Sequence, residues 1–223
     1  MSIGIIGRKL GMTQIFNEQG HQIPVTVIEA EPNPVVAVTV SEKGVPGVQL
    51  GMGVKRLAKD GGRTPRGRRA SRAAVGHAKK AGLSAPPAVL RGFRLDDGPK
   101  STPPTEYKVG DLIKVDLFAP GEIVRVTGTT KGHGFQGVVK RYGIGGGPNT
   151  HGNTKHREPG AISPGTDPSR VIKGKKMPGQ YGSVRHTQIG LRVERVDTER
   201  NLLYVRGAVA GPTNGIVLVR KKV

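Results

Sequence analysis

The 223-residue chain has no cysteine and no tryptophan. Without a thiol there is no disulfide framework, no thiolate zinc site and no cysteine nucleophile. Aromatic residues make up 4% of the chain, too few for a single-strand reader built on many stacked rings. No run approaches the roughly 18 apolar residues of a membrane-crossing helix. Met1-Ser2-Ile3-Gly4-Ile5-Ile6-Gly7 lacks the basic start and long apolar stretch of a secretory leader. A soluble, intracellular protein without membrane contact is expected. Acid is scarce: 16 Asp+Glu face 36 Lys+Arg, a net charge of +20. Self-repulsion of that size disfavours a compact free state and points to a polyanionic partner.

Glycine and proline are abundant, at 35 and 17 residues, and hydrophobic residues reach only 35%. The imbalance is sharpest in residues 128–186, where ten Lys/Arg meet two acids, Glu158 and Asp167, among fourteen glycines. Such a stretch forms no long helix or strand and holds too few apolar side chains for a core. It is expected to be a long extended loop, and loops beyond about 12–15 residues are usually functional or disordered.

The flanking sequence reads as β-structure. Ile3–Ile6 and Met12–Phe16 are short strands in or near one sheet, followed by turn chemistry at Asn17-Glu18-Gln19-Gly20. Ile23–Glu29 and Val35–Val40 are β-branched runs separated by Pro32-Asn33-Pro34, and Val45–Leu50, with its Pro46, is expected at a sheet edge. Asp111–Phe118 alternates, Glu122–Thr127 follows a turn, and Leu191–Asp197, Leu202–Arg206 and Gly215–Val219 complete the pattern. Val109-Gly110-Asp111-Leu112-Ile113 resembles the hairpins of small β-barrels in translation proteins. The expected fold is mainly β: a small barrel of translation-protein type assembled discontinuously from residues 1–51, 95–127 and 187–223.

Two segments interrupt that core and carry the charge. Residues 128–186 are one. The other is residues 52–94: between Lys55 and Arg94 twelve Lys/Arg accompany a single acid, Asp60. Arg68–Ala81 is expected to be helical, with Gly82 at its C-terminal end and Ala70, Ala74, Ala78 and Ala81 on one small-residue face. Without acids for intrahelical pairs, the like charges of this basic insertion are better neutralised by phosphate than by water.

Catalytic and metal chemistry find little footing. His151 and His156 are poorly spaced for metal, and no carboxylate pair completes a site, so no metal and no cofactor are expected. Gly143-Ile144-Gly145-Gly146-Gly147-Pro148 lacks the following helix of a dinucleotide loop, because Pro148, Gly152 and Pro159 forbid one. The acids stand singly in the β portions, leaving a paired-carboxylate mechanism without a home. Phe135, Tyr142 and Tyr181 lie among basic residues; they either stack on bases or, for Phe135 in particular, anchor the loop locally. Backbone and shape recognition of RNA fits best. An assembly factor that departs from its RNA and an enzyme acting on RNA are the competing readings.

Ile5–Phe16 resembles the start of the universal large-subunit ribosomal protein L-three family. Gly132-His133-Gly134-Phe135-Gln136-Gly137 running on to Arg141 is similar to that family's signature. Thr150-His151-Gly152-Asn153, Pro159-Gly160-Ala161-Ile162 and Lys173–Gly179 are similar to its later blocks. The resemblance spans essentially the whole chain and is closest to the bacterial branch. It implies a non-enzymatic, cytoplasmic constituent of the large ribosomal subunit: a six-stranded-type barrel, and an extension that runs through ribosomal RNA towards the peptidyl-transferase centre. It also implies an early role in subunit assembly and neighbours from the L-fourteen and L-nineteen families. Under that reading Lys131, Lys140, Arg141, Lys155, Arg157, Lys173, Lys175 and Lys176 contact phosphates, and His133 lies on the same surface. Gly145, Gly146, Asn149, His151 and Asn153 let RNA approach a tip near Gly145–Lys155. Arg66, Arg68, Arg69, Arg72, Lys79 and Lys80 form a second contact. Some bacterial members carry a methylated glutamine three residues before the Thr-His-Gly-Asn block; this chain has Gly147 there, so that modification is not expected.

Overall fold

A computed structural model of the chain describes residues 3–40, 46–55, 70–95 and 107–221. In chain order its elements are β1 (Gly4–Phe16), β2 (Gln22–Glu29), β3 (Asn33–Val40), β4 (Pro46–Val54), α1 (Arg72–Lys80), β5 (Pro87–Arg94), β6 (Leu112–Ile113), β7 (Ile123–Thr129), β8 (Gly134–Gln136), α2 (Val138–Tyr142), β9 (Gly179–Tyr181), β10 (Arg185–Asp197), β11 (Leu202–Arg206) and β12 (Ile216–Lys221). The protein is mainly β, as its composition of β-branched runs requires. It divides into two compact units, one of residues 1–129 with 186–223 and one of Thr130–Arg185.

In the first unit six strands close into a barrel in the order β1-β12-β7-β10-β11-β2, and β5-β4-β3-β6 make a second sheet. The β1–β2 and β10–β11 ladders each shift register once, at Lys9/Gly11 and at Val193/Arg195. Such bulges bend strands and raise their twist, as tight closure demands. Gly4 to Gly7 are all buried, which explains why β1 opens as an unbroken apolar run instead of an alternating one. Ile5, Ile28, Val126, Val193, Leu203 and Val219 from the barrel share one buried cluster with Val35, Val48, Leu50 and Phe93 from the second sheet. Each such side chain contributes about 1.5–3 kcal/mol by leaving water.

Asn33 ties the two sheets together. Sequence reasoning assigns Pro32-Asn33-Pro34 to a separator; the structure makes Asn33 the fully buried first residue of β3. Its Oδ1 accepts the Ile6 backbone N–H at 2.6 Å, and its Nδ2 donates to the Ile6 carbonyl at 3.2 Å and the Glu31 carbonyl at 2.7 Å. A buried amide needs such partners. Lys9, counted only as part of the N-terminal motif, donates from Nζ to the Val209 and Gly211 carbonyls at 2.7 and 3.1 Å.

Other expectations need correction. Ile3–Ile6 and Met12–Phe16 belong to one 13-residue strand. β4, expected at a sheet edge, lies inside its sheet, between β3 and β5; Pro46 is tolerated because it opens the strand. Residues 87–94, read within the basic insertion, form β5 and pair with β4 from Gly47↔Arg94 to Val54↔Pro87. Asp111–Phe118 is not one strand. Leu112 and Ile113 pair with β3, opposite Pro34 and Asn33, and the Val35 N–H carries the contact on to the Asp111 carbonyl at 2.8 Å. A 3₁₀ turn at Val115–Leu117 follows and buries Val115.

The helix is shorter than the expected 68–81. Ser71 caps it, its Oγ accepting the Ala74 N–H at 3.2 Å. At the other end Gly82 takes φ +71°, so its N–H reaches the Lys79 carbonyl and that of Leu83 the Ala78 carbonyl, both at 3.0 Å. Ala78 and Ala81 are buried, while Arg72, Lys79 and Lys80 are exposed. Arg66, Arg68 and Arg69 lie outside the described residues.

Candidate nucleic-acid interface

Residues 130–185 carry ten Lys/Arg and two acids, and Val138 is their only buried residue among the described residues. A segment of this length without a core is held by local bonds alone. Its base is a short ribbon. Thr130 N–H donates to the Val184 carbonyl and His133 N–H to the Tyr181 carbonyl, both at 2.9 Å, and β8 pairs antiparallel with β9. His133 stacks on Tyr181 with ring centroids 5.1 Å apart. The Gln136 side chain donates to the His133 carbonyl.

Arg141 is a clasp. From α2 its Nη1 donates to the Met177 carbonyl at 2.7 Å, and its guanidinium sits 4.9 Å from the Tyr142 ring centroid. Lys176 Nζ approaches the same ring at 5.7 Å. These contacts bring α2 and the Lys173–Lys176 cluster to one place. Lys175 Nζ donates to the Ala161 carbonyl at 3.2 Å, and Lys155 pairs with Glu158 at 3.6 Å, both side chains exposed. Lys131, Lys140, Arg157, Lys173 and Lys176 are exposed.

The expected tip is folded on itself. Asn153 Nδ2 donates to the Pro148 carbonyl at 2.8 Å, His156 Nδ1 lies 3.1 Å from the same oxygen, and Asn153 Oδ1 accepts the Lys155 N–H at 3.0 Å. A Cβ on Gly146 would overlap the His156 carbonyl. Glycine at 146 is therefore required by the chain's own packing, where sequence reasoning assigned it to RNA approach. Gly145 has open space around it. Asn149 is exposed, and His151 is exposed in a turn at φ 60°. Of the second predicted contact, Arg72, Lys79 and Lys80 stand on α1 in the other unit. Among the described residues no three His, Cys, Asp or Glu side chains group closely enough to hold a metal ion. No described helix is long and apolar enough to cross a membrane.

Residues 107–202 match the family model for ribosomal protein L3. The large ribosomal subunit protein uL3 of Geotalea daltonii is 46% identical over 224 residues, spanning 100% of this chain and 98% of the relative. Those of Pseudomonas fluorescens and Geobacter metallireducens are each 47% identical, over 99% and 100% of this chain and 97% and 99% of theirs. The chain belongs to the ribosomal protein L3 family.

L3-family proteins are structural ribosomal proteins and not enzymes, in keeping with a surface rich in cations and poor in paired carboxylates. The resemblance read from the motifs is the same family. A Cβ on Gly147 would press on Asn153 Nδ2 and come within 2.9 Å of the Lys155 carbonyl. This loop conformation therefore favours glycine at 147. What sequence reasoning missed in this L3-family unit is its internal scaffold: Arg141 as a clasp, Asn153 and His156 as staples, and Met177 as an acceptor. The motif spacing shows the cations, but a carbonyl acceptor leaves no mark in a sequence.

Proposed function

We propose that this chain is a structural constituent of the large ribosomal subunit that binds large-subunit ribosomal RNA chiefly through residues 130–185. The observation that carries this reading is a 56-residue unit with ten cations, two acids and one buried residue. Backbone bonds fix its path, while its cationic side chains lack the acids that would neutralise them within the protein. Phosphates at Lys131, Lys140, Arg141, Lys155, Arg157, Lys173, Lys175 and Lys176 supply that charge. His133, Gly145, Gly146, Asn149, His151 and Asn153 complete the RNA-facing surface. Gly146 and Asn153 act there by holding the loop in shape. Arg66, Arg68, Arg69, Arg72, Lys79 and Lys80 form a second phosphate contact.

In this role the protein joins early, helps to nucleate subunit assembly, and supports the RNA near the peptidyl-transferase centre of a cytoplasmic, bacterial-type ribosome. Its protein neighbours belong to the L-fourteen and L-nineteen families. The unit supplies charge and shape and takes no part in the chemistry. Washing purified large subunits at high salt tests the assignment. A resident constituent is recovered at one copy per subunit. Recovery well below one copy favours an assembly factor that leaves the particle.

A further inference from the structure

Phe135 is 75% exposed, more than any other large apolar side chain among the described residues. A ring that anchored its loop would be buried, so exposure removes the local role. The unit's two tyrosines have partners: Tyr142 lies beneath Arg141 and Lys176, and Tyr181 stacks on His133. Phe135 is nonetheless held in place. It occupies the middle of β8, directly opposite Gln180 of β9. Residues opposed in this way have Cβ atoms about 4.5–5.5 Å apart and on the same face. Gln180 is exposed too, so its side chain rises from the same face as the Phe135 ring and can reach a group lying on that ring. An amide can both donate to and accept from the edge of a base whose face lies on an adjacent ring.

We propose that Phe135 is a stacking platform for an unpaired RNA base, with the Gln180 amide hydrogen-bonding to that base's edge. The inference rests on the RNA-binding reading and adds to it a site that recognises a base instead of a phosphate. The ten cations of the unit select the occupant, because an apolar protein surface or lipid tail would have to desolvate them, whereas a nucleotide offers a ring and a phosphate together.

The test is filter binding of the full-length chain to a transcript of large-subunit ribosomal RNA over a range of salt, with circular dichroism to verify the fold of each variant. Phe135→Ala is expected to weaken binding about five- to a hundredfold at every salt concentration, leaving the salt slope unchanged because stacking releases no counterions. Phe135→Tyr restores affinity and Phe135→Leu does not. Gln180→Ala weakens binding by a smaller factor. Wild-type affinity in Phe135→Ala, or full rescue by leucine, overturns the stacking site. So does normal RNA binding combined with loss of Phe135→Ala from assembled subunits, which would place the ring against a protein. A flat salt slope for the wild-type chain defeats the RNA reading itself, whatever Phe135 does.

Discussion

Replacing Lys131, Lys140 and Lys173 together by glutamine tests the electrostatic account at its most exposed point. All three side chains are exposed, whereas Arg141 and Lys175 also serve carbonyl acceptors and Lys155 faces Glu158. Each phosphate neutralised adds about −0.9 to the slope of log affinity against log salt on a duplex and about −0.7 on a single strand. If Glu158 neutralises Lys155, seven of the eight assigned cations remain, and the unit contributes a slope of about −6 on duplex RNA. Between 50 and 200 mM salt its share of the affinity then falls about 6,000-fold in the wild type and about 150-fold in the triple variant. The slope difference, about 2 to 3, does not depend on what the rest of the chain contributes. Filter binding at five or six salt concentrations measures it directly. A triple variant with an unchanged slope would refute the assignment of these lysines to phosphates, even if its affinity fell.

Three substitutions probe the scaffold. Asn33→Leu strands the buried Ile6 N–H and carbonyl and should cost about 2–5 kcal/mol of stability, read from the denaturant midpoint; a loss under 1 kcal/mol would mean that the side-chain bonds between the sheets matter little. Gly146→Ala forces the 146–156 loop apart at the His156 carbonyl. Proteolytic cleavage should rise there while the barrel's melting temperature holds, and an unchanged digestion pattern would contradict the packing argument. Ser71→Ala removes the α1 cap and should speed amide exchange in that helix by an amount corresponding to about 0.5–2 kcal/mol; exchange equal to wild type would show that Ser71 is not holding the helix end.

Where side chains alternate or run apolar, the fold was legible: β2, β3, β11 and β12 fall close to the runs that announce them, since burial on one face writes a period of two into the sequence. The exceptions have causes. β5 was hidden because Arg91 and Arg94 sit in a charge run, although Val89, Leu90 and Phe93 carry the strand signal. Asp111–Phe118 alternates, but after Ile113 the chain leaves β3 and turns into the 3₁₀ segment Val115–Leu117. Asn33 reads as a turn residue, and only its three bonds reveal it as a core staple. In residues 130–185 the cations and glycines marked the surface, yet the purpose of Gly146 and Arg141 was invisible because their partners are backbone carbonyls. Phe135 could be placed only once its exposure was known.

Amide hydrogen exchange on the full-length chain, free and bound to large-subunit ribosomal RNA, asks directly whether the unit with a single buried residue depends on nucleotides for its stability. The account predicts slow exchange in the barrel strands in both states. Residues 130–185 should exchange fast in the free chain and become protected on the RNA. Equal protection of that unit with and without RNA would contradict it.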